Sequence, residues 1–202
     1  ITFDAILVGY LGSLEAVKAA GEIIDRLLAP GGVAIVDPAM ADNGKLYSGF
    51  DEDYVRAIGS LAGKADIILP NVTEAAILAG LPYQENIGKN YVNQLLNGLN
   101  HPCAVLTGVD FDEDSTGIVL QEGTVQHEYR HKRIGNGCHG TGDIFAAVFT
   151  GALMQGKNRL DAAKIAADFT CRCIKNTVNA PAHWYGVKFE PLLPELMEML
   201  GR

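Results

Sequence analysis

Asp143 follows Gly140-Thr141-Gly142 and opens the apolar run Ile144-Phe145-Ala146-Ala147-Val148-Phe149. Four glycines fall in the eight positions 135–142. Glycine allows a ligand close to the backbone and lets successive N–H groups point one way. The first N–H groups of a helix have no internal acceptor, and the helix dipole adds positive potential there. Such a turn is a trap for a phosphate or another anion. A carboxylate at its mouth has two readings. It caps the helix and answers the dipole, or it is a general base that takes a proton from an attacking hydroxyl.

Other polar residues share one property: each follows an apolar, strand-like run. Tyr10 follows "DAILVG", Asp37 and Asp42 lie in "DPAMADNGKLY", Asn71 and Glu74 in "PNVTEA", and Thr107 and Gly108 in "TGVD". Asp37, Asp42 and Glu74 are candidates to hold Mg²⁺, which needs few carboxylates and keeps several waters. For Asp42 an ordinary Asp-Asn-Gly turn is the competing reading, and for Glu74 a first-turn helix acid. No GxxxxGK[ST] loop, GxSxG elbow or GxGxxG after the first strand occurs. The four cysteines (Cys103, Cys138, Cys171, Cys173) form no CxxC pair. They read as free thiols of a reducing, cytoplasmic compartment.

The elements that must position these residues alternate. Strands are expected at 4–10, 33–37, 66–70 and 103–108, and helices at 13–32, 51–65, 72–80 and 87–99. A hairpin at 115–131 turns at Glu122-Gly123, and helices follow at 141–155, 158–177 and 191–200. Apolar strands alternating with helices predict an α/β fold: a three-layer α/β/α sandwich on a mostly parallel sheet, with late antiparallel edge strands. Residues 1–202 read as one domain. Ligands of such sheets bind beyond the carboxyl ends of the strands.

Of 202 residues, 48% are hydrophobic and 20% charged, with a net charge of −8. That balance argues against nucleic acid as a partner. The densest basic group, Arg130-His131-Lys132-Arg133, is too short for a footprint. No apolar run has the roughly 18 residues of a membrane helix, so no membrane partner is expected.

Together "VGYLGS", "VDPAMADNGKLY", "LPNVTEA", "LTG" and "HGTGDIFAAV" resemble the ribokinase-like (PfkB) superfamily, and within it the vitamin B6 kinases. "GTGD" marks the superfamily; "GYLGS" and "DPAMADNGKLY" point to the B6 kinases. The resemblance implies ATP-dependent phosphorylation of the 5′-hydroxymethyl group of pyridoxal, pyridoxamine or pyridoxine, with Mg²⁺ and K⁺ as cofactors, in a homodimer. It makes Asp143 the catalytic base and the Gly140, Thr141 and Gly142 amides an anion hole. It sets Asp42 and Glu74 near Mg²⁺ and the phosphates, and Asn71, Thr107 and Gly108 at the nucleotide. Tyr10 lines the pyridine pocket. Two departures stand out. Leu69 occupies a place where related kinases have a hydroxyl, and the family's strands before "VGY" are absent, which predicts an open sheet edge. Two other functions stay open: a hydroxymethylpyrimidine (phosphate) kinase, and a nucleotide-binding fragment without turnover. Cys138 reads as a small residue beside a glycine turn or as a thiol that adds to an aldehyde substrate. His183-Trp184-Tyr185 reads as packing or as an adenine contact.

Overall fold

Ala34, Ile35 and Val36 are consecutive and all fully buried. A strand can do that only between two apolar layers. The computed structural model describes residues 1–135, 138–178, 180 and 186–202. In chain order the elements are β1 (Phe3–Val8), α1 (Leu14–Leu27), β2 (Leu28–Val36), β3 (Ala41–Asp42), β4 (Lys45–Leu46), α2 (Glu52–Ala62), β5 (Ile67–Ile68), α3 (Val72–Leu78), α4 (Lys89–Leu99), β6 (Cys103–Asp110), β7 (Ser115–Glu122), β8 (Val125–Lys132), α5 (Thr141–Met154), α6 (Arg159–Val178) and α7 (Leu193–Leu200).

Six strands form one sheet in the order β1-β2-β5-β6-β7-β8. The first four are mutually parallel, and β7 and β8 add antiparallel pairs. Side chains alternate between the two faces. Ala34, Val36, Ala104 and Leu106 pack with α1 to α4 through Val17, Ile58, Ala75 and Leu95. Ile35, Cys103 and Val105 pack with α5 and α6 through Phe145, Phe149, Ala163 and Phe169, and α7 adds Leu196. This is the three-layer α/β/α architecture expected from the strand–helix rhythm.

Local signals set most boundaries. Ser13 caps α1 by accepting the Ala16 N–H, and Asp51 caps α2 by accepting that of Tyr54. One expected boundary moves. Leu28 to Gly32, expected to close the first helix, belong to β2. The β1–β2 register jumps from Phe3–Leu28 to Ala5–Val33. Gly32 permits the bulge, because a Cβ there would come within 3.0 Å of the Asp4 and Ala29 carbonyl oxygens. The expected strand at 66–70 shortens to Ile67–Ile68.

The two edges of the sheet differ. On β1, Phe3 is 47% and Leu7 37% exposed. On β8, past an exposed Val125 at its start, Glu128, Arg130 and Lys132 are exposed. No helix among the described residues is long and apolar enough to cross a membrane.

Candidate active site

A cleft of about 820 Å³ runs along the rim where the parallel strands end. Tyr10, Asp42, Asn71, Glu74, Thr107, Gly108, Gly140, Thr141, Gly142 and Asp143 all line it. These ten residues come from five separate stretches of chain, so the sheet brings together every site residue expected from sequence.

The glycine turn is built open. Gly140 takes a left-handed φ of 82°, and no side chain caps α5. The Ile144 N–H returns to the Gly140 carbonyl at 3.1 Å. The amides of Thr141, Gly142 and Asp143 find no acceptor among the described residues. Asp143 is exposed to the cleft. It sits against the end of β1: a Cβ built on Gly9 would lie 3.9 Å from its Oδ1. Asp37 is the neighbour on the other side, its Oδ2 3.6 Å from a Cβ built on Gly142.

Asp37 itself is 9% exposed. Burial pushes its carboxyl up to about 6, against one favourable contact from the Ala39 N–H, and the Asp143 charge adds to the rise. Ala39 is held at a left-handed φ of 34°, which costs a β-carbon residue about 1 kcal/mol. Its neighbour Met40 supplies the restraint, donating its N–H to Glu74 Oε1 at 3.0 Å.

The Asn71 turn is the reverse of the glycine turn. Asn71 and Glu74 form a full capping box on α3. Glu74 Oε2 accepts the Asn71 N–H at 2.9 Å, and Oε1 accepts those of Met40 and Ala41. Asn71 Nδ2 donates to the Ala41 carbonyl at 2.8 Å. Thr73 Oγ1 accepts the Gly44 N–H at 3.0 Å. All three residues thus hold the chain between β2 and β4 on the top of α3. Glu74 is 2% exposed, and burial with the nearby Asp37 raises its carboxyl to about 8 although three N–H groups pull it back.

Asp42 presents its carboxylate from a two-residue hairpin. Asn43 and Gly44 both have positive φ, 50° and 75°, as this turn requires. A Cβ on Gly44 would fall 2.7 Å from the Tyr83 ring. Among the described residues only Asn43 bonds the Asp42 carboxylate, through its N–H and Nδ2. No three His, Cys, Asp or Glu among the described residues form a metal cage. Asp42, at the rim with spare acceptor capacity, fits a Mg²⁺ that keeps waters and phosphate oxygens as its other ligands. Glu74 has both oxygens on backbone N–H groups, so it holds the loop that carries Asp42.

Sequence reasoning missed much of the lining. Tyr47 stands among Glu74, Asp42, Asp37 and Asp143, and burial with these charges pushes its hydroxyl up to about 12. Tyr10, 60% exposed, is 5.7 Å from the Phe50 ring, and Tyr47 is 6.4 Å from it. The far wall comes from Thr116 to Ile118 of β7, the end of β8, and Ala167, Thr170, Cys171 and Ile174 of α6. Gly117 is obligatory there, because any Cβ would collide with the Tyr129 carbonyl. Cys138 is half-buried in the lining, while burial pushes Cys103, Cys171 and Cys173 up to about 11. One false signal is present as well. His127-Glu128-Tyr129-Arg130-His131 has HExxH spacing, but it lies on β8. Two histidines four residues apart on a strand are about 13 Å apart and share no metal. The His183-Trp184-Tyr185 cluster, Asn136 and Gly137 lie outside the described residues.

A parallel α/β sheet with an open, glycine-rich helix start on its carboxyl rim is the frame of the ribokinase-like kinases. The model of the phosphomethylpyrimidine kinase family matches residues 1–187, and the chain belongs to that family. A hydroxymethylpyrimidine/phosphomethylpyrimidine kinase of Haemophilus influenzae is 26% identical over 183 residues, covering 85% of this chain and 65% of that protein. The crystal structure of pyridoxal kinase from Lactobacillus plantarum superposes with a TM-score of 0.86 at 31% identity, covering 98% of this chain and 72% of that one. A pyridoxal kinase from Staphylococcus aureus in complex with AMP-PCP gives 0.74 at 27% identity, over 87% and 63%. The chain spans 38 to 65% of the length of the curated relatives it matches.

Proposed function

We propose that residues 1–202 act as one kinase domain that transfers the γ-phosphoryl group of ATP to the 5′-hydroxymethyl group of a B6 vitamer. The observation that carries this reading is the open start of α5 beside Asp143. Phosphoryl transfer asks for positioning and charge stabilisation more than for covalent work. The Thr141 and Gly142 amides receive the oxygens of the transferring group, where the charge develops. Asp143 accepts the proton of the attacking hydroxyl. Asn71, Thr107 and Gly108 border the nucleotide. Asp42 would hold Mg²⁺ with Glu74 behind it, and the ion would neutralise phosphate charge. Tyr10, backed by Phe50, offers a flat face to a pyridine ring. The nucleotide bound by the S. aureus relative supports the donor class.

Hydroxymethylpyrimidine (phosphate) kinase is the second reading, favoured by the matching family model. Both substrates are flat heteroaromatic rings with a hydroxymethyl arm. Initial rates with pyridoxal and with hydroxymethylpyrimidine, at equal concentration with Mg²⁺ and ATP, separate them. Faster turnover of pyridoxal is expected. Preference for the pyrimidine replaces the first reading by the second, and binding of nucleotide with no transfer to either overturns both.

A further inference from the structure

The basic group Arg130-His131-Lys132-Arg133 is too short for a nucleic acid, yet the fold delivers its end to the cleft. His131, Lys132 and Arg133 all line the cleft. Two of the three full cations are already spent. Arg130 pairs with Glu128 at 2.7 Å and lies over the Phe111 ring at 4.0 Å. Arg133 pairs with Asp110 at 2.7 Å and donates through Nε to the Glu113 carbonyl. Lys132 has no ion pair among the described residues.

The strand register fixes where that charge stands. Lys132 is opposite Ser115, and Thr116 is opposite Asp110 near the end of β6. Two strand spacings, about 10 Å, therefore separate Lys132 from Phe111, just beyond the end of β6, and Thr107 and Gly108 lie three to four residues back along that strand. The carboxylates gather at the other end: Asp37 after β2, Asp42 on the β3–β4 hairpin, Glu74 on α3, and Asp143 beside β1. The cleft is thus polarised along the rim. A polyphosphate that reaches Asp143 runs past these acids, and a cation at its other end would balance charge that the Mg²⁺ proposed at Asp42 and the Thr141 and Gly142 amides leave over.

We propose that Lys132 binds a phosphate oxygen of the donor nucleotide at the end of the cleft away from Asp143. This rests on the kinase reading above and names the residue that orients the donor along the rim. A flexible ammonium suits the task, because it follows a phosphate as a point charge without bidentate geometry.

The test is calorimetric titration of AMP-PCP with Mg²⁺ into the wild type, Lys132→Met, Lys132→Arg and the charge-matched Lys18→Met on the exposed face of α1. Adenosine serves as the ligand without phosphates. Lys132→Met is expected to weaken AMP-PCP binding about tenfold, the effect of one charged hydrogen bond, and to flatten its dependence on salt. Lys132→Arg restores most of the affinity, Lys18→Met behaves as wild type, and adenosine binds all four alike. Wild-type affinity and salt slope in Lys132→Met overturn the proposal, as does an equal loss of adenosine binding. A wild type that binds adenosine and AMP-PCP equally well also overturns it. If the wild type binds no nucleotide at all, the kinase reading falls and takes this one with it.

Discussion

Two helices begin on the same cleft and treat their first turns in opposite ways. At α3 the capping box is complete, and Glu74 and Asn71 also hold Met40 and Ala41. At α5 there is no cap, and the first three amides have no partner among the described residues. Both turns carry an acid near their start, so residue type alone does not separate them. What separates them is saturation. A turn whose polar groups are all engaged is a fixed support, whereas one whose amides face the cleft is free to bind a ligand. On the proposed kinase reading, the contrast gives the chemistry to Gly140–Asp143 and a supporting role to Asn71–Glu74.

The strongest way to break that contrast is to remove each acid and watch different quantities. Asp143→Ala is expected to lower turnover by about 10²–10⁴-fold. Its stability should stay within about 0.5 kcal/mol of wild type, since the side chain is exposed. Steady-state kinetics with a denaturation curve reads both. Near-normal turnover ends the role of Asp143 as base.

Glu74→Ala should do the reverse. It strands three backbone N–H groups in a buried place and is expected to cost about 3 kcal/mol. For a chain of this size that lowers the melting temperature by about 10 °C. If Glu74→Ala melted like the wild type but lost turnover, α3 would belong to the machinery and the contrast would fail.

The third test sharpens the boundary between the two turns, where Asp37 sits. Its carboxyl is raised from 3.8 to about 6 by burial first. Below about pH 4 both folded and unfolded chains hold the proton, and the stabilisation is complete. Between pH 4 and 6 only the folded chain holds it, so stability falls as pH rises through that window. Asp37→Asn keeps an acceptor for the Ala39 N–H and does not titrate. It is expected to match wild type at pH 4 and exceed it by about 2 kcal/mol at pH 8, in urea denaturation at each pH. An equal gap at both values removes the burial argument.

Sequence made the open turn legible because glycines and one acid carry a direct backbone signal. It also gave the strand–helix rhythm, since β2 and β6 are apolar on both faces. It could not show that Glu74 reaches Met40 and Ala41, because a first-turn acid looks the same whether it faces solvent or a loop 34 residues earlier. The far wall was invisible for another reason: Ala167 and Ile174 have no chemistry of their own and matter by position alone. Pro30-Gly31-Gly32 misled because the same residues stop a helix and permit a strand bulge, and Gly32 does the second. The roles of the ten lining residues rest on the kinetics above.

The unlike edges of the sheet bear on how the chain behaves in concentrated solution. Glu128, Arg130 and Lys132 put charge along β8, while the outermost described strand at the other side, β1, carries the exposed apolar residues Phe3 and Leu7. A lysine introduced at Leu7 would place a charge on that edge and is expected to reduce any strand-to-strand association through it, read by light scattering.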